Sequence, residues 1–209
     1  MKTAKAAAMR PTKGERTTTR ILDAAEIVFA ERGFDAASLR EIARRADLQQ
    51  PGLYNHFASK QDLYAAVLDR ALTPMATAMS AAMRDDASRM PLEDLPAAIT
   101  DLLLEHPQMA ALFQQALQGK DSPGRQLMRE WLDRLLAQGI DAARSRATHP
   151  VDRAELAIEI LAMFNITTGY FLSQQVLDSL GVGKLSDPEN VARQKALLER
   201  IGRAMAPGR

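Results

Sequence analysis

Residues 38–57 read SLREIARRADLQQPGLYNHF, and this stretch decides the fold. Ser38 and Glu41 have the S-x-x-E spacing of a capping box, so a helix is expected to open here. Leu39, Ile42, Ala43 and Ala46 then recur at helical spacing and form one apolar stripe. Asp47 ends the stripe, and Leu48 returns to the core from the turn. Pro51 is tolerated only in the first turn of a helix, which puts the start of a second helix at Gln49 or Gln50. Leu53 and Phe57, four residues apart, form its buried face. Pro51, Gly52, Tyr54 and Asn55 must then point outward, with Gln50 and His56 on the flanks. A face carrying Gln, Tyr, Asn and His offers hydrogen bonds to base edges and phosphates, and Gly52 leaves room for a close approach. Two short helices joined by a tight turn present the second helix to the major groove of DNA.

The surrounding chain agrees with that reading. Its 209 residues make one large domain or two small ones. Alanine, leucine and methionine are abundant, while aromatic and β-branched residues are sparse, which points to an all-α protein. The net charge of +1 is unevenly spread. Lys2, Lys5, Arg10, Lys13, Arg16 and Arg20 are opposed only by Glu15, so a basic arm precedes a net acidic body. Such an arm suits phosphate, although a solvated tail has the same composition. The chain has no cysteine, hence no disulfide framework and no thiolate metal site. No run of about 18 apolar residues is present, and the N-terminus lacks an apolar signal core, so a cytoplasmic protein is expected.

From Thr17 to Leu72 the chain resembles the tetracycline-repressor (TetR) family of bacterial transcriptional regulators. The resemblance rests on ILDAAEIVFAERGFDAASLREIA, on LYNHF and on SKQDLYAAVL. Two positions depart from the family pattern. Asp47 stands where glycine is usual in the turn, and Gln49 where Ser or Thr usually opens the next helix. Aspartate still suits a left-handed turn, less well than glycine. By this resemblance Arg40 can reach a guanine, and Ser38, Tyr54, His56 and Lys60 fall at phosphate-contacting positions. A bidentate contact from Arg40 would be worth about 1–3 kcal/mol of discrimination. Arg40 also reads as a solvated helix-surface arginine, and His56 as a packing residue. Gln49, Gln50, Pro51, Gly52 and Asn55 complete the expected DNA-facing set, with Gln50 and Asn55 as further base readers.

Nine helices are expected. The first spans 18–32, with Ile21, Leu22, Ala25, Val28 and Phe29 on one face, Gly33 as its C-cap and Phe34 packing back. The second and third form the helix-turn-helix. The fourth is capped by Ser59 and Asp62 and runs to about residue 85, kinked at Pro74. The others span about 92–105, 107–117, 124–146, 152–179 and 188–205, the last opened by Asp187 and Pro188. The chain thus divides into a flexible basic arm (1–16), a helix-turn-helix domain (17–72) and a C-terminal domain (73–209).

The resemblance implies that the C-terminal domain binds a small effector and forms a homodimer through its last two helices. Gln174, Leu177, Ala196, Leu197 and Ile201 are the candidate dimer contacts. Met75, Met79, Ile99, Leu103, Met109, Phe113, Trp131, Leu135 and Phe164 are the candidate apolar wall of an effector cavity, with Gln114, Asn165 and Thr168 as its polar groups. Few charges fall among these stripes, which favours a hydrophobic effector. The same residues at helical spacing also read as plain core. No cofactor or metal is implied. The chain has three histidines; His106 and His149 each precede a proline at a helix end. No HExxH, GxSxG, P-loop or GxGxxG occurs in its required context, so no enzyme is expected. The expected function is a repressor of a palindromic operator that an effector releases. A helical scaffold without sequence-specific DNA binding and a TetR-like activator are the alternatives.

Overall fold

Helix α1 (Lys13–Ala36) opens earlier than expected. The Thr12 hydroxyl accepts the Glu15 N–H at 3.2 Å, and the Glu15 carboxylate accepts the Thr12 N–H at 2.6 Å. This capping box draws Lys13 and Arg16 of the expected arm into the helix. The computed structural model describes residues 12–83, 94–118, 123–144 and 152–205, so Lys2, Lys5 and Arg10 lie outside the described residues. Gly33 interrupts α1 with φ 71° and ψ 177°, a conformation essentially reserved for glycine. Beyond it, Phe34 folds back beside Phe29 and Tyr64, with ring centroids 6.3 Å and 5.0 Å away.

The chain continues through α2 (Leu39–Arg45), α3 (Gln50–Tyr54), α4 (Lys60–Met83), α5 (Leu95–Glu105), α6 (Gln108–Gln118), α7 (Pro123–Arg144), α8 (Arg153–Phe171), α9 (Gln174–Leu180) and α10 (Pro188–Met205). The described residues contain helices and no strands, in keeping with the all-α expectation. Ser38 precedes α2 without donating or accepting a side-chain cap bond. Its expected partner Glu41 instead accepts from Arg32 and Arg45, each at 3.1 Å. Ser59 does cap α4, accepting the Asp62 N–H at 3.0 Å. Helix α4 continues through Pro74, the residue expected to kink it. Pro74 still removes the N–H that would bond the Arg70 carbonyl four residues back.

Among the described residues ten helices stand where nine were expected, because the segment 152–179 breaks into α8 and α9, bent by 60°. At the break the backbone bonds shorten by one residue: the Leu172 N–H donates to the Gly169 carbonyl at 3.2 Å and the Ser173 N–H to the Tyr170 carbonyl at 3.0 Å, while the Ser173 hydroxyl also donates to the Gly169 carbonyl at 2.7 Å.

One core joins the two parts of the chain. Ile21, Val28, Phe29, Ile42, Leu53, Leu63 and Leu68 are continuous with Met75, Leu103, Leu112, Phe113 and Met128. Helix α1 packs on α2, α4 and, most extensively, α6; α4 packs on α5 and α7; and α8 and α10 close the far side against α5. Close approach at Gly124 fixes how α7 meets α4: a Cβ there would stand 2.7 Å from the Tyr64 ring. Among the described residues, no single helix is long and apolar enough to cross a membrane.

Candidate nucleic-acid interface

Leu53 anchors the short helix α3: its side chain is fully buried, while Gln49, Gln50, Pro51, Tyr54 and Asn55 around it are exposed. Burying a leucine of this kind contributes about 1.5–3 kcal/mol. Tyr54 keeps 48% of its surface exposed although it is a large aromatic residue. Gly52 and His56 are half-buried at the margin, and Ser38 and Arg40 are exposed at the start of α2. Ile42, Ala43 and Ala46 bury the opposite side of α2, as the stripe predicts. The face turned from the core is therefore polar, with an exposed aromatic ring at its centre.

The turn that sets this face is held from α1. Asp47 adopts φ 54°, the left-handed conformation expected of the residue standing in place of glycine. The Arg20 guanidinium donates to the Ala46 carbonyl and, at 3.3 Å, to the Asp47 carboxylate. Arg20 was counted with the basic arm, but here it braces the turn. Lys60 also points inward: its ammonium donates to the Asp35 carbonyl at 3.0 Å and lies 4.7 Å from the Phe34 ring centre. Burial pushes its pKa below the ordinary lysine value, opposed by Asp35. In this conformation Lys60 does not reach outward to a phosphate. His56 approaches the Thr18 hydroxyl of α1 at 2.9 Å. The sequence reading missed Thr18, because nothing local links residues 38 positions apart.

In the C-terminal part, Met75, Met79, Ile99, Leu103, Met109, Phe113 and Trp131 are all buried in the common core. Phe164 packs against it, 5.8 Å from Phe113 between ring centres. Thr168 is buried and donates its hydroxyl to the Phe164 carbonyl at 2.7 Å. Gln114 and Asn165 are exposed, so neither supplies the polar group expected inside this core. The Leu135 side chain lies outside the described residues. Of the expected dimer contacts, Ala196 and Leu197 are exposed, and Leu177 and Ile201 are half-buried. Gln174 is engaged within the chain: its amide donates to Asp178 at 2.7 Å and accepts from the Leu185 N–H at 2.9 Å.

Where the two parts meet, Arg70 of α4 clamps α1 through Asp23 at 2.7 Å and Glu26 at 2.6 Å. These side chains, with Pro74, His106 and Met109, line a cleft of about 360 Å³. A second cleft of about 160 Å³ lies between α4 and α7, with Trp131 in its wall.

Comparison with known proteins places this geometry. The profile of bacterial regulatory proteins of the tetR family matches residues 21–67, the helices that build the exposed face. The HTH-type transcriptional activator FasR of Mycolicibacterium smegmatis is 40% identical over 84 residues, covering 36% of this chain and 38% of FasR. The HTH-type transcriptional repressor BepR of Brucella suis is 42% identical over 80 residues, covering 37% and 38%. The matched segment thus spans well under half the length of these relatives. Likeness of fold extends further. A TetR-like transcriptional regulator from Rhodococcus superposes with a TM-score of 0.65 at 22% identity, covering 95% of this chain and 100% of that one. Salmonella enterica GusR gives 0.63 at 19% identity, covering 94% and 98%. Residues 21–67 of this chain thus match the helix-turn-helix segment of the tetR family of bacterial regulatory proteins, and the chain as a whole shares its fold with these solved regulators.

Proposed function

We propose that the protein is a ligand-responsive transcriptional repressor that binds a palindromic operator as a homodimer. The observation that carries the reading is the exposed polar face of α3, with Tyr54 and Asn55 held outward by the buried Leu53. Arg40, Gln50 and Asn55 are assigned to base edges; Ser38, Tyr54 and His56 to phosphates. Lys60 joins them only if it leaves Asp35.

A second copy is supported by the apolar side chains left on the last helices. Ile158 and Leu161 of α8 and Leu197 of α10 are exposed in the single chain, Ile158 by 68%. Gly169 of α8 and Gly202 of α10 meet no neighbour within 4 Å, which suits close helix approach by a partner. Two-fold symmetry would then match two half-sites.

The effector is assigned to the apolar core of α4 to α8, around Met75, Met79, Leu103, Phe113, Trp131 and Phe164, and is therefore hydrophobic. Opening that core would displace α6, on which α1 lies, and would change the spacing of the two reading heads. Each tenfold loss of operator affinity needs about 1.4 kcal/mol of coupling. The matched relatives include one activator and one repressor, so the direction of regulation is itself to be measured.

The test is fluorescence-anisotropy titration against DNA upstream of the protein's own gene at two salt concentrations. Random DNA and a Tyr54→Ala, Asn55→Ala variant serve as controls. Specific binding that falls with salt and is lost in the variant supports the regulator. Equal, salt-insensitive weakness on both DNAs would favour a helical scaffold instead.

A further inference from the structure

We infer that Thr18 is a positioning residue that makes His56 a proton-linked phosphate contact, so that DNA binding takes up a proton at each half-site. The inference rests on the regulator reading above and adds a residue and a chemical state to it.

Three atoms carry the argument. The Thr18 hydroxyl oxygen lies 3.1 Å from the Gly14 carbonyl and 2.9 Å from His56 Nδ1. A hydroxyl has one proton to give. If it goes to Gly14, then Nδ1 must carry a proton and donate to Thr18. In the neutral ring that tautomer leaves Nε2 with a bare lone pair, which repels a phosphate. If the hydroxyl proton goes to Nδ1 instead, Nε2–H can donate to a phosphate, but the Gly14 carbonyl loses the hydroxyl and keeps only its helical bond from the Thr18 N–H. Only the protonated imidazole makes all three contacts together: Nε2–H to a phosphate oxygen, Nδ1–H to Thr18, and Thr18 O–H to Gly14. Binding a phosphate next to His56 therefore favours protonation, and the added charge strengthens the bond.

The charged neighbours leave that cation to the DNA. On α1, Glu15 is held by the Thr12 cap, and Arg20 by the turn at Ala46 and Asp47. Lys13 and Arg16 are the other charged groups at that end of α1. On α2, Glu41 is taken by Arg32 and Arg45, while Arg40 and Arg44 are cations. On α4, Asp62 bonds Ser59, and Lys60 bonds the Asp35 carbonyl. The carboxylates at these positions are thus engaged elsewhere, and their neighbours are mostly cationic, as a phosphate-facing surface requires.

The experiment uses the full-length protein and a duplex that it selects from a random-sequence library, with affinity measured by anisotropy from pH 5.5 to 8.5 at constant ionic strength. Wild type should weaken as pH rises, by up to about tenfold per pH unit per half-site where one proton is linked. Calorimetry in two buffers of different ionisation enthalpy should show proton uptake on binding. Thr18→Val and His56→Gln should each flatten the pH profile while circular dichroism and melting stay near wild type. A pH-independent wild type, or a Thr18→Val variant with the wild-type slope, overturns the inference and leaves the regulator reading intact. Failure to bind any duplex at any pH overturns both.

Discussion

Arg70→Ala removes the clamp between α1 and α4. The Arg70–Asp23 contact is 2.7 Å long, but Asp23 is 61% exposed, so it contributes about 0.2–1 kcal/mol. The Arg70–Glu26 contact is 2.6 Å long, and the Glu26 side chain is only 15% exposed. A hydrogen bond to a charged group in that setting contributes about 1.5–3 kcal/mol, and deleting the arginine leaves Glu26 half-desolvated without its cation. The variant should therefore lose about 2–3 kcal/mol in urea unfolding, with the m-value unchanged. Glu26→Gln alone should cost less, and the double variant should cost about 1–2 kcal/mol less than the sum of the singles. Because the clamp joins α1 to α4 beside Pro74, Arg70→Ala should also narrow the difference in operator affinity between effector-free and effector-bound protein. A loss below about 0.5 kcal/mol, or no coupling with Glu26, would refute the assignment of this pair as the strong link.

Gly124→Ala should destabilise by about 1–3 kcal/mol in thermal or urea melts, because its Cβ would stand 2.7 Å from the buried Tyr64 ring and 3.0 Å from the Ala116 Cβ. Wild-type stability would mean that α7 can slide away from α4 freely. Pro74→Ala should restore a bond to the Arg70 carbonyl and stabilise α4 by up to about 3 kcal/mol. It should alter the effector response more than bare operator affinity, and no change in either would exclude α4 as a route of coupling. Glu15 has its pKa lowered, chiefly by the hydrogen bond from the Thr12 backbone and then by that from its side chain. Its contribution is therefore present above the unfolded carboxylate value and is lost as pH falls through the lowered folded value. Amide exchange in the first turn of α1 should quicken on acidification, and Glu15→Gln should remove that dependence.

The helix-turn-helix was legible because its signals are local. The Leu39–Ala46 stripe, Pro51 in a first turn, the Leu53–Phe57 pair and the turn aspartate each act within a few residues. The break after Phe171 was illegible for a different reason. Residues 152–179 carry an unbroken helical composition, and no residue type there marks the point where the Leu172 and Ser173 N–H groups switch to carbonyls three residues back. The bracing roles of Arg20, Lys60 and Thr18 depend on contacts 25 to 38 residues apart. Composition marks such side chains as basic or polar but says nothing of where they are held. The expected Ser38–Glu41 box failed because Arg32 and Arg45 offer Glu41 full charges, which outcompete a single backbone N–H. Gln114 and Asn165 were assigned inward on chemistry alone, and helical phase put both outside.

Helix α1 gathers most of these contacts, and this bears on how a signal would travel. Near its start it holds His56 through Thr18; two residues on, it holds the turn through Arg20. Ile21, Ala25 and Val28 share one core with Ile42 of α2 and Leu53 of α3. Asp23 and Glu26 take Arg70 of α4, and near Gly33 the chain comes so close to α6 that a Cβ would stand 2.7 Å from the Gln115 side chain. A reading head tied to α1 at this many points moves with it as one body. The sequence pointed to α4 and Pro74 as the coupling element; α4 meets α1 through the Arg70 clamp and through Lys60 and Tyr64, but α6 packs on α1 more extensively. Displacement of α6 by a ligand in the neighbouring core would therefore tilt α1 and both recognition helices together. By this argument, variants at the α1–α6 contact should shift operator affinity and effector response in parallel, while variants at Pro74 should shift the response alone.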